Sequence, residues 1–350
     1  WLAGGQSNME LALKDSENGI KISEEYSGKN IRFYQVPKCS MLDENQKEQE
    51  ENSTWQIADN RNVGEMSAIA FYFASRLPET LHCIVGIIDC YWGGSSITCW
   101  MSREQLAKLE SGKNYLENYA ALVGEKSSQQ YTKEMEEYNC AYQHWLKSTE
   151  EVKQKDPQAS WKEIHKICGE CPWPQPVGWQ SPFRPNGLHE TMIRRIAPYS
   201  LRGFLYYQGE EDVQRYADYS DMMQMLVKQW RMDWNDWNLP FLFVQLPMYL
   251  ADGEKDDSYW ALQREQQYIA SMMIQNAGMI SLADCGENDN IHPLNKKTPG
   301  ERLFQLAKNL VYDKQGTITA TAAQLFSDNG KLYVTFDHLH EKLVMQTANG

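Results

Sequence analysis

The feature that most constrains the fold of this chain is a regular alternation of short apolar runs and amphipathic stretches. Five runs rich in β-branched and aromatic residues are bounded by turn residues: Ile31–Val36, Cys83–Ile88, Leu201–Tyr207, Phe241–Leu246 and Met279–Ala283. Apolar residues recur at helical spacing in four further stretches: Glu65–Leu77, Tyr216–Trp230, Leu262–Met273 and Gly300–Leu310. Strands that alternate with helices build a parallel sheet covered by helices on both faces. With Trp1–Ala3 as a first strand, the sequence predicts a three-layer α/β/α sandwich around a mostly parallel sheet.

A long charged stretch, Glu104–Ile167, interrupts this alternation. Its larger apolar residues recur every three or four positions: Tyr131, Met135, Tyr138, Tyr142 and Trp145. That spacing favours a helix packing face over a sugar-binding platform. A proline-rich segment, Pro172–Pro176, then ends the helical pattern and fixes an extended path back to the core. We therefore predict a helical insertion over about residues 104–180.

The chain changes character again beyond Thr317. Residues Lys331–Phe336 alternate between polar and apolar side chains, a pattern typical of antiparallel strands. We therefore expect two parts, an α/β domain over about residues 1–315 that includes the insertion, and the start of a truncated β-rich segment over about 316–350.

Charge and hydropathy exclude several classes of partner. The 350 residues include 34 Lys and Arg against 47 Asp and Glu, a formal net charge of −13. Nucleic-acid binding needs clustered Lys and Arg, so we expect no nucleic-acid partner. No apolar run reaches the roughly 18 residues of a membrane span, so we expect no membrane partner. Neither pattern predicts an oligomeric state.

The chain start and the cysteines bear on compartment and metal content. The chain begins inside an apolar stretch without Met, which indicates a trimmed piece, so the sequence leaves open whether a targeting segment preceded it. The eight cysteines have no disulfide-framework spacing, so a reducing, cytoplasmic compartment is slightly favoured while secretion stays open. His165, Cys168 and Cys171 form half of a zinc pattern without its other half, so we expect no metal.

Four short segments with polar or glycine residues follow predicted strands, where open α/β sheets hold their working groups. They are Gly4–Met9, Tyr91–Ser96, Tyr207–Glu210 and Asp289–Pro293. Together they supply a serine, glycine-bearing loops with backbone N–H groups, an amide side chain and an Asp/His pair. These groups can act as nucleophile, oxyanion donors, orienting acid and base, which is the chemistry of acyl transfer.

Each of these groups also has a structural explanation. A serine after a strand commonly caps a helix, and two adjacent glycines commonly make a tight turn. His292 stands before a proline, a position typical of a structural loop histidine, and Gln208 would serve equally well as a buried amide between loops. The joint presence of all four segments at strand ends favours catalysis over these separate explanations.

The same segments resemble the ordered sequence blocks of the sialate O-acetylesterase family, a branch of the SGNH hydrolases allied to carbohydrate esterase family six. The blocks are Gly5–Met9, Trp92–Ser95, Tyr206–Glu210 and Ile291–Lys297, with support from Arg184–Leu188, Arg264–Gln267 and Gly300–Leu303. The resemblance spans about residues 1–312. It implies a flavodoxin-like SGNH sandwich that removes acetyl groups from sugar hydroxyls and needs no metal or cofactor.

The resemblance also implies the roles of individual residues. Ser7 matches the nucleophile and His292 the general base. The N–H of Ser7, that of Gly94 (or Gly93) and the side chain of Gln208 match the oxyanion donors. A wider substrate-binding set is predicted from the same loops: Gln6, Trp92, Gly93, Glu210 and Arg264. Among the tryptophans, the best candidates for sugar contact are Trp92, Trp100 and Trp173.

The acid behind His292 departs from the family pattern. Many members have an aspartate two residues before the histidine, where this chain has Asn290. Asp289 stands three residues before, the spacing of the wider SGNH pattern, so we predict Asp289 as the acid. Asp284, Glu287 and a backbone carbonyl remain alternatives.

The sequence thus favours a carbohydrate O-acetylesterase that works through an acetyl-serine intermediate. O-acetylated sialic acid is the favoured substrate by resemblance, although Glu211 and Asp212 would disfavour a sialate carboxylate if they faced the pocket. Acetylated xylan or another plant glycan is the alternative substrate. A non-catalytic carbohydrate-binding protein on a hydrolase scaffold is an alternative of another class, and a lipase or thioesterase is a third.

Overall fold

A computed structural model describes residues 1–28, 30–156, 159, 161–250, 258–313 and 321–337. Its main sheet has seven strands: β1 (Leu2–Gly5), β2 (Ile31–Gln35), β3 (Gln56–Ile57), β4 (Val85–Tyr91), β5 (Phe204–Tyr207), β6 (Phe241–Val244) and β7 (Ala277–Ile280). They lie in the order β3-β2-β4-β1-β5-β6-β7, and every neighbouring pair is parallel except β2 with β3. This confirms the predicted mostly parallel sheet.

The structure describes twelve helices: α1 (Ser7–Glu10), α2 (Gly19–Glu25), α3 (Glu44–Asn52), α4 (Ala68–Leu81), α5 (Arg103–Leu106), α6 (Glu110–Val123), α7 (Ser128–Lys155), α8 (Trp161–Cys168), α9 (Arg194–Ile196), α10 (Tyr219–Asp233), α11 (Tyr259–Met273) and α12 (Lys297–Ala307). None of the helices in the described ranges is long and apolar enough to cross a membrane.

Two apolar clusters form because successive side chains of a strand point to opposite faces of the sheet. Ala3 of β1 packs on one face with side chains of α4 and α12, whereas Leu2 packs on the other with side chains of α10. Both faces are therefore covered by helices, and the α/β/α layering predicted from the sequence is confirmed.

The central position of β1 brings the loops of distant segments together. Gly5, its last residue, pairs with Tyr91 of β4 on one side and with Tyr207 of β5 on the other. Because parallel strands end at the same edge, the loops after β1, β4 and β5 lie side by side there.

Four helices, α5 to α8, fall within the predicted insertion. Helix α7 begins at a capping box in which Ser127 and Gln130 satisfy each other's backbone N–H groups. Its Tyr131 and Trp145 are buried, so part of the aromatic spacing is a packing face, as the sequence predicts. Cys168, the last residue of α8, precedes the proline-rich return.

Beyond residue 320 the structure has an antiparallel hairpin of β8 (Thr321–Asp328) and β9 (Lys331–Asp337). The two turn residues, Asn329 and Gly330, both have positive φ, as two-residue hairpin turns require. The remainder of the predicted β-rich segment, residues 316–320 and 338–350, lies outside the described residues. The domain boundaries stay a prediction.

Candidate active site

Ser7 is presented by a sharp turn from β1 into α1. Gly5 has φ +131°, and a Cβ there would lie 2.0 Å from the carbonyl oxygen of Tyr207, so the turn requires glycine. Helix α1 has Gln6 at its N-cap position and no side-chain cap. The hydroxyl of Ser7 therefore does not cap the helix, as a serine after a strand commonly does.

The hydroxyl of Ser7 instead meets His292. Ser7 Oγ lies 2.8 Å from His292 Nε2, although the two residues are 285 positions apart in the sequence. His292 stands in the loop between β7 and α12, at the same edge of the sheet as Ser7. A hydroxyl within hydrogen-bond distance of an imidazole nitrogen is the geometry of a nucleophile with its general base.

The loop that carries His292 is held by Glu287. One carboxylate oxygen of Glu287 accepts the side-chain N–H of Asn290 (2.7 Å), and the other accepts the backbone N–H of Leu294 (2.7 Å). The side-chain oxygen of Asn290 in turn accepts the backbone N–H of His292 (3.0 Å). Glu287 and Asn290 thus position the base through the backbone.

Asp289 is not brought to His292. Its side chain is exposed, because the bridge between Glu287 and Asn290 turns the intervening residues outward. Within the described part of the chain, no hydrogen bond reaches Nδ1 of His292, and Asp284 is engaged in an ion pair with Arg302 (2.6 Å). The role of Asp289 as the acid stays a prediction, one that no contact in this structure supports.

Burial and a buried cation keep the imidazole neutral. Burial, and to a lesser extent the charge of Lys296, lower the pKa of His292 to about 4. Lys296 is only 2% exposed, its Nζ lies 5.8 Å from the centre of the Tyr207 ring, and burial lowers its own pKa to about 7. A neutral imidazole can accept the proton of Ser7.

A buried polar network lies under the nucleophile turn. Asn8 Nδ2 donates to Glu210 Oε1 (2.6 Å) and to the carbonyl oxygen of Ile291 (2.8 Å), and Asn8 Oδ1 accepts from Lys296 Nζ (2.5 Å). Asn8 therefore ties the turn that carries the nucleophile to the loop that carries the base. Sequence reasoning missed Asn8 and Lys296, although each stands in a segment that the family resemblance had marked.

Glu210 is part of this network. It was predicted to bind substrate, but its side chain is buried and burial raises its pKa. The structure therefore places Glu210 beneath the turn of Ser7, where it supports Asn8.

The glycine loop after β4 contacts the nucleophile. A Cβ on Gly93 would lie 3.2 Å from Ser7 Cβ. The N–H of Gly93 is already bonded to Glu10 Oε2 (2.6 Å), whereas those of Gly94 and Ser7 have no acceptor among the described residues. Of the two glycines considered as oxyanion donors, Gly94 is thus the one with a free N–H.

The side chain of Gln208 is fully engaged inside the protein. Its Nε2 lies 2.6 Å from Asp212 Oδ2, 3.1 Å from the carbonyl oxygen of Ser95 and 3.2 Å from Gln6 Oε1. The hydroxyl of Tyr219 donates to its Oε1 (2.9 Å), which fixes the orientation of the amide. The two hydrogens of Gln208 Nε2 already have three acceptors within the protein, so in this structure neither is free to bind an oxyanion.

Gln6 has the opposite arrangement. Its Oε1 accepts three N–H groups, those of Gln208 Nε2 (3.2 Å), Gly209 (3.3 Å) and Glu211 (3.3 Å). These bonds orient the amide, and its Nε2 has no acceptor in the part of the chain that the structure describes. Gln6 is therefore the amide beside Ser7 that retains free N–H groups.

The other predicted contact residues separate into near and distant positions. Trp92 follows β4, where its ring packs on Phe183 (6.3 Å between ring centres). Trp100 is completely buried, and its Nε1 donates to Ser95 Oγ (2.8 Å), so it supports the glycine loop from behind. Arg264 lies on α11 and donates to the carbonyl oxygen of Pro247 (3.4 Å), a bond that involves neither Ser7 nor His292.

Comparison with known proteins shows that the chain is similar to carbohydrate esterases. A family described as carbohydrate esterase, sialic acid-specific acetylesterase, matches residues 176–308. The sialate O-acetylesterase of Mus musculus is 24% identical over 96% of this chain and 61% of its own length, and that of Homo sapiens is 23% identical over 90% and 54%. The chain thus spans about three fifths or less of the length of these relatives.

One solved structure has the same fold over almost the whole chain. A carbohydrate acetylesterase from Xanthomonas citri superimposes with a TM-score of 0.67 and 25% identity, covering 96% of this chain and 62% of that one.

Proposed function

We propose that this chain, which is similar to the sialic acid-specific acetylesterase family of carbohydrate esterases, removes O-acetyl groups from sugar hydroxyls through an acetyl-serine intermediate. The 2.8 Å contact between Ser7 Oγ and His292 Nε2 carries this proposal. It favours an enzyme over a carbohydrate-binding protein on an inactive scaffold, since it aligns a hydroxyl with a base and no binding role requires that alignment.

In the first step His292 removes the proton of Ser7 while the serine oxygen attacks the acetyl carbonyl carbon. The N–H groups of Ser7 and Gly94 face the negative oxygen that develops, aided by the N-terminus of α1. The C–O bond to the sugar then breaks, and the imidazolium of His292 gives its proton to the leaving alkoxide.

In the second step His292 takes a proton from water, which attacks the acetyl-serine. The tetrahedral intermediate collapses to acetic acid while His292 returns the proton to Ser7, and the acid then loses its own proton to solvent as acetate. Each step uses one proton and regenerates the neutral base.

The two acidic residues that follow Glu210 do not exclude an acidic sugar as substrate. Asp212, which would disfavour a carboxylate if it faced the pocket, is buried and accepts hydrogen bonds from Ser96 Oγ and the N–H of Ile97 (2.6 and 2.8 Å). Burial raises the pKa of Glu211 to about 7, which reduces its negative charge near neutral pH. O-acetylated sialic acid is our proposed substrate because the chain is similar to sialate O-acetylesterases.

The test is acetate release from a panel of O-acetylated sialic acids and acetylated xylans. We expect the wild type to release acetate from the sialic acids, and we expect Ser7→Ala to lose at least about 10³-fold in kcat because the nucleophile is gone. Ser271→Ala changes a partly exposed serine on α11; it is the matched control and should retain full turnover.

Undiminished turnover in Ser7→Ala would refute the mechanism. Release from xylans alone would transfer the activity to plant glycans, and sugar binding without any acetate release would support the carbohydrate-binding alternative.

A further inference from the structure

An exposed tryptophan from the end of the insertion lies on the glycine loop of the site. Trp173 is 46% exposed, and a Cβ on Gly94 would lie 2.2 Å from its ring, so the ring is in van der Waals contact with that glycine. Phe183 holds the ring from the side at 5.7 Å between ring centres. The same Phe183 packs on Trp92, which places both tryptophans in one aromatic group.

This contact puts the ring close to the reacting atoms. Trp173 touches Gly94, whose N–H is free, and the neighbouring Gly93 lies against Ser7. A substrate whose acetyl carbonyl reaches the N–H of Gly94 therefore passes the exposed part of the Trp173 ring.

The insertion contributes further aromatic side chains on this side. Tyr138 and Tyr142 of α7 stack with their rings 5.9 Å apart and 9° from parallel. Burial raises the pKa of Tyr142, and the charges of Cys171 and Glu10 raise it further. Tyr142 is thus within electrostatic reach of Glu10, whose carboxylate binds the N–H of Gly93.

An exposed indole ring gains most from a ligand that is flat and apolar on one face. The face of a pyranose ring that carries axial C–H groups has this character, while its hydroxyls stay in water. A simple acetyl group does not need such a surface.

We propose that Trp173 is the platform on which the pyranose ring of the acetylated sugar stacks, beside the N–H of Gly94. This inference rests on the proposed function. Two parts of the chain then have different roles. The edge of the sheet performs acyl transfer, and the insertion selects esters whose alcohol is a sugar.

The experiment compares two esters in the Trp173→Ala variant. With an O-acetylated sialic acid, kcat/KM should fall about tenfold, mainly through KM, because the stacked ring surface is lost. With ethyl acetate, which has no ring, kcat/KM should stay within about twofold of wild type. If Trp173→Ala does not fold, Trp173→Leu takes its place, because it keeps an apolar side chain on Gly94 without a flat face. It should show the same loss of kcat/KM on the sugar ester and none on ethyl acetate.

Trp179→Ala is the matched control, since Trp179 lies six residues on, is 45% exposed and packs on Tyr119 instead of the glycine loop. It should leave both esters unaffected.

Equal losses on both esters, or an unchanged kcat/KM for the sugar, would overturn the platform and leave the acetylesterase proposal standing. A wild-type protein that hydrolyses ethyl acetate but no acetylated sugar would instead remove the proposed function, and the platform with it.

Discussion

At the scale of single residues, burial is the main cause of the lowered pKa of His292, and the charge of Lys296 adds to it. Lys296 lowers the pKa of His292, and Lys296 itself is faced by Glu210 and Glu287, whose charges raise the pKa of the lysine. Below its own pKa of about 7, Lys296 is protonated, so its charge acts throughout the pH range in which His292 titrates. The imidazole is consequently neutral, and able to act as a base, down to about pH 4.

The pH profile tests this arrangement. The acidic limb of kcat/KM reports the pKa of the base in the free enzyme, so it should lie well below the usual 6.5 of histidine. Lys296→Met removes the positive charge, and the limb should move to higher pH. Lys297→Met, the exposed neighbour, should leave the profile unchanged; an unmoved limb in Lys296→Met would contradict the role of the charge.

The amide side chains of Gln6 and Gln208 can be compared for their effects on turnover and stability. We predict that the free Nε2 of Gln6 acts as an oxyanion donor beside the N–H groups of Ser7 and Gly94. Gln6→Glu keeps the oxygen that holds the loops and removes this free N–H, so kcat should fall about 10²–10³-fold, as for other lost oxyanion donors. Gln208→Met removes a buried amide with four partners and should mainly lower the free energy of unfolding.

Acetate release and urea unfolding of both variants give the two quantities. Full turnover in Gln6→Glu would exclude Gln6 as a donor. A large loss of kcat at unchanged stability in Gln208→Met would return that role to Gln208.

At the scale of elements, the turn from β1 into α1 depends on one glycine. A methyl group at Gly5 would collide with the backbone of Tyr207. Neither β1 nor β5 can move away without losing the pairing between the two strands. Gly5→Ala should therefore lower the free energy of unfolding by about 2–4 kcal/mol.

Denaturant titration measures this effect against a matched control. Gly169 also has positive φ (+78°), but a Cβ there meets nothing within 4 Å. Gly169→Ala should cost only the backbone strain, about 1 kcal/mol. Equal costs at the two positions would show that the collision with Tyr207 is not the source.

The bounds of the elements show where sequence patterns stop being informative. The apolar run that predicts β4 ends at Ile88, yet the strand continues to Tyr91. The reason is Asp89, because a charged residue in the sequence typically indicates the end of a buried strand. In the structure Asp89 is buried within the sheet, and burial raises its pKa to about 7. The short edge strand β3 has too few residues to produce a periodic signal.

At the scale of the whole molecule, much of the site follows from the order of the strands. Parallel strands end at one edge, so the loops after β1, β4 and β5 lie side by side, and the loop after β7 reaches Ser7 from the same edge through His292. The pattern also predicted the residue types required for acyl transfer. It did not predict which of them share hydrogen bonds, because side chains with several donors and acceptors choose their partners only after packing.

The sequence by itself determined the layered α/β architecture, the edge of the sheet that holds the site, and Ser7 and His292 as the candidate pair. Only the tertiary structure decided that Ser7 Oγ meets His292 Nε2, that Gln208 and Glu210 are enclosed by other side chains, that Asp289 points outward, and that Trp173 lies on Gly94. The physical reason is that hydrophobic periodicity encodes which face of an element is buried. Contacts between residues hundreds of positions apart depend instead on how the buried faces fit together.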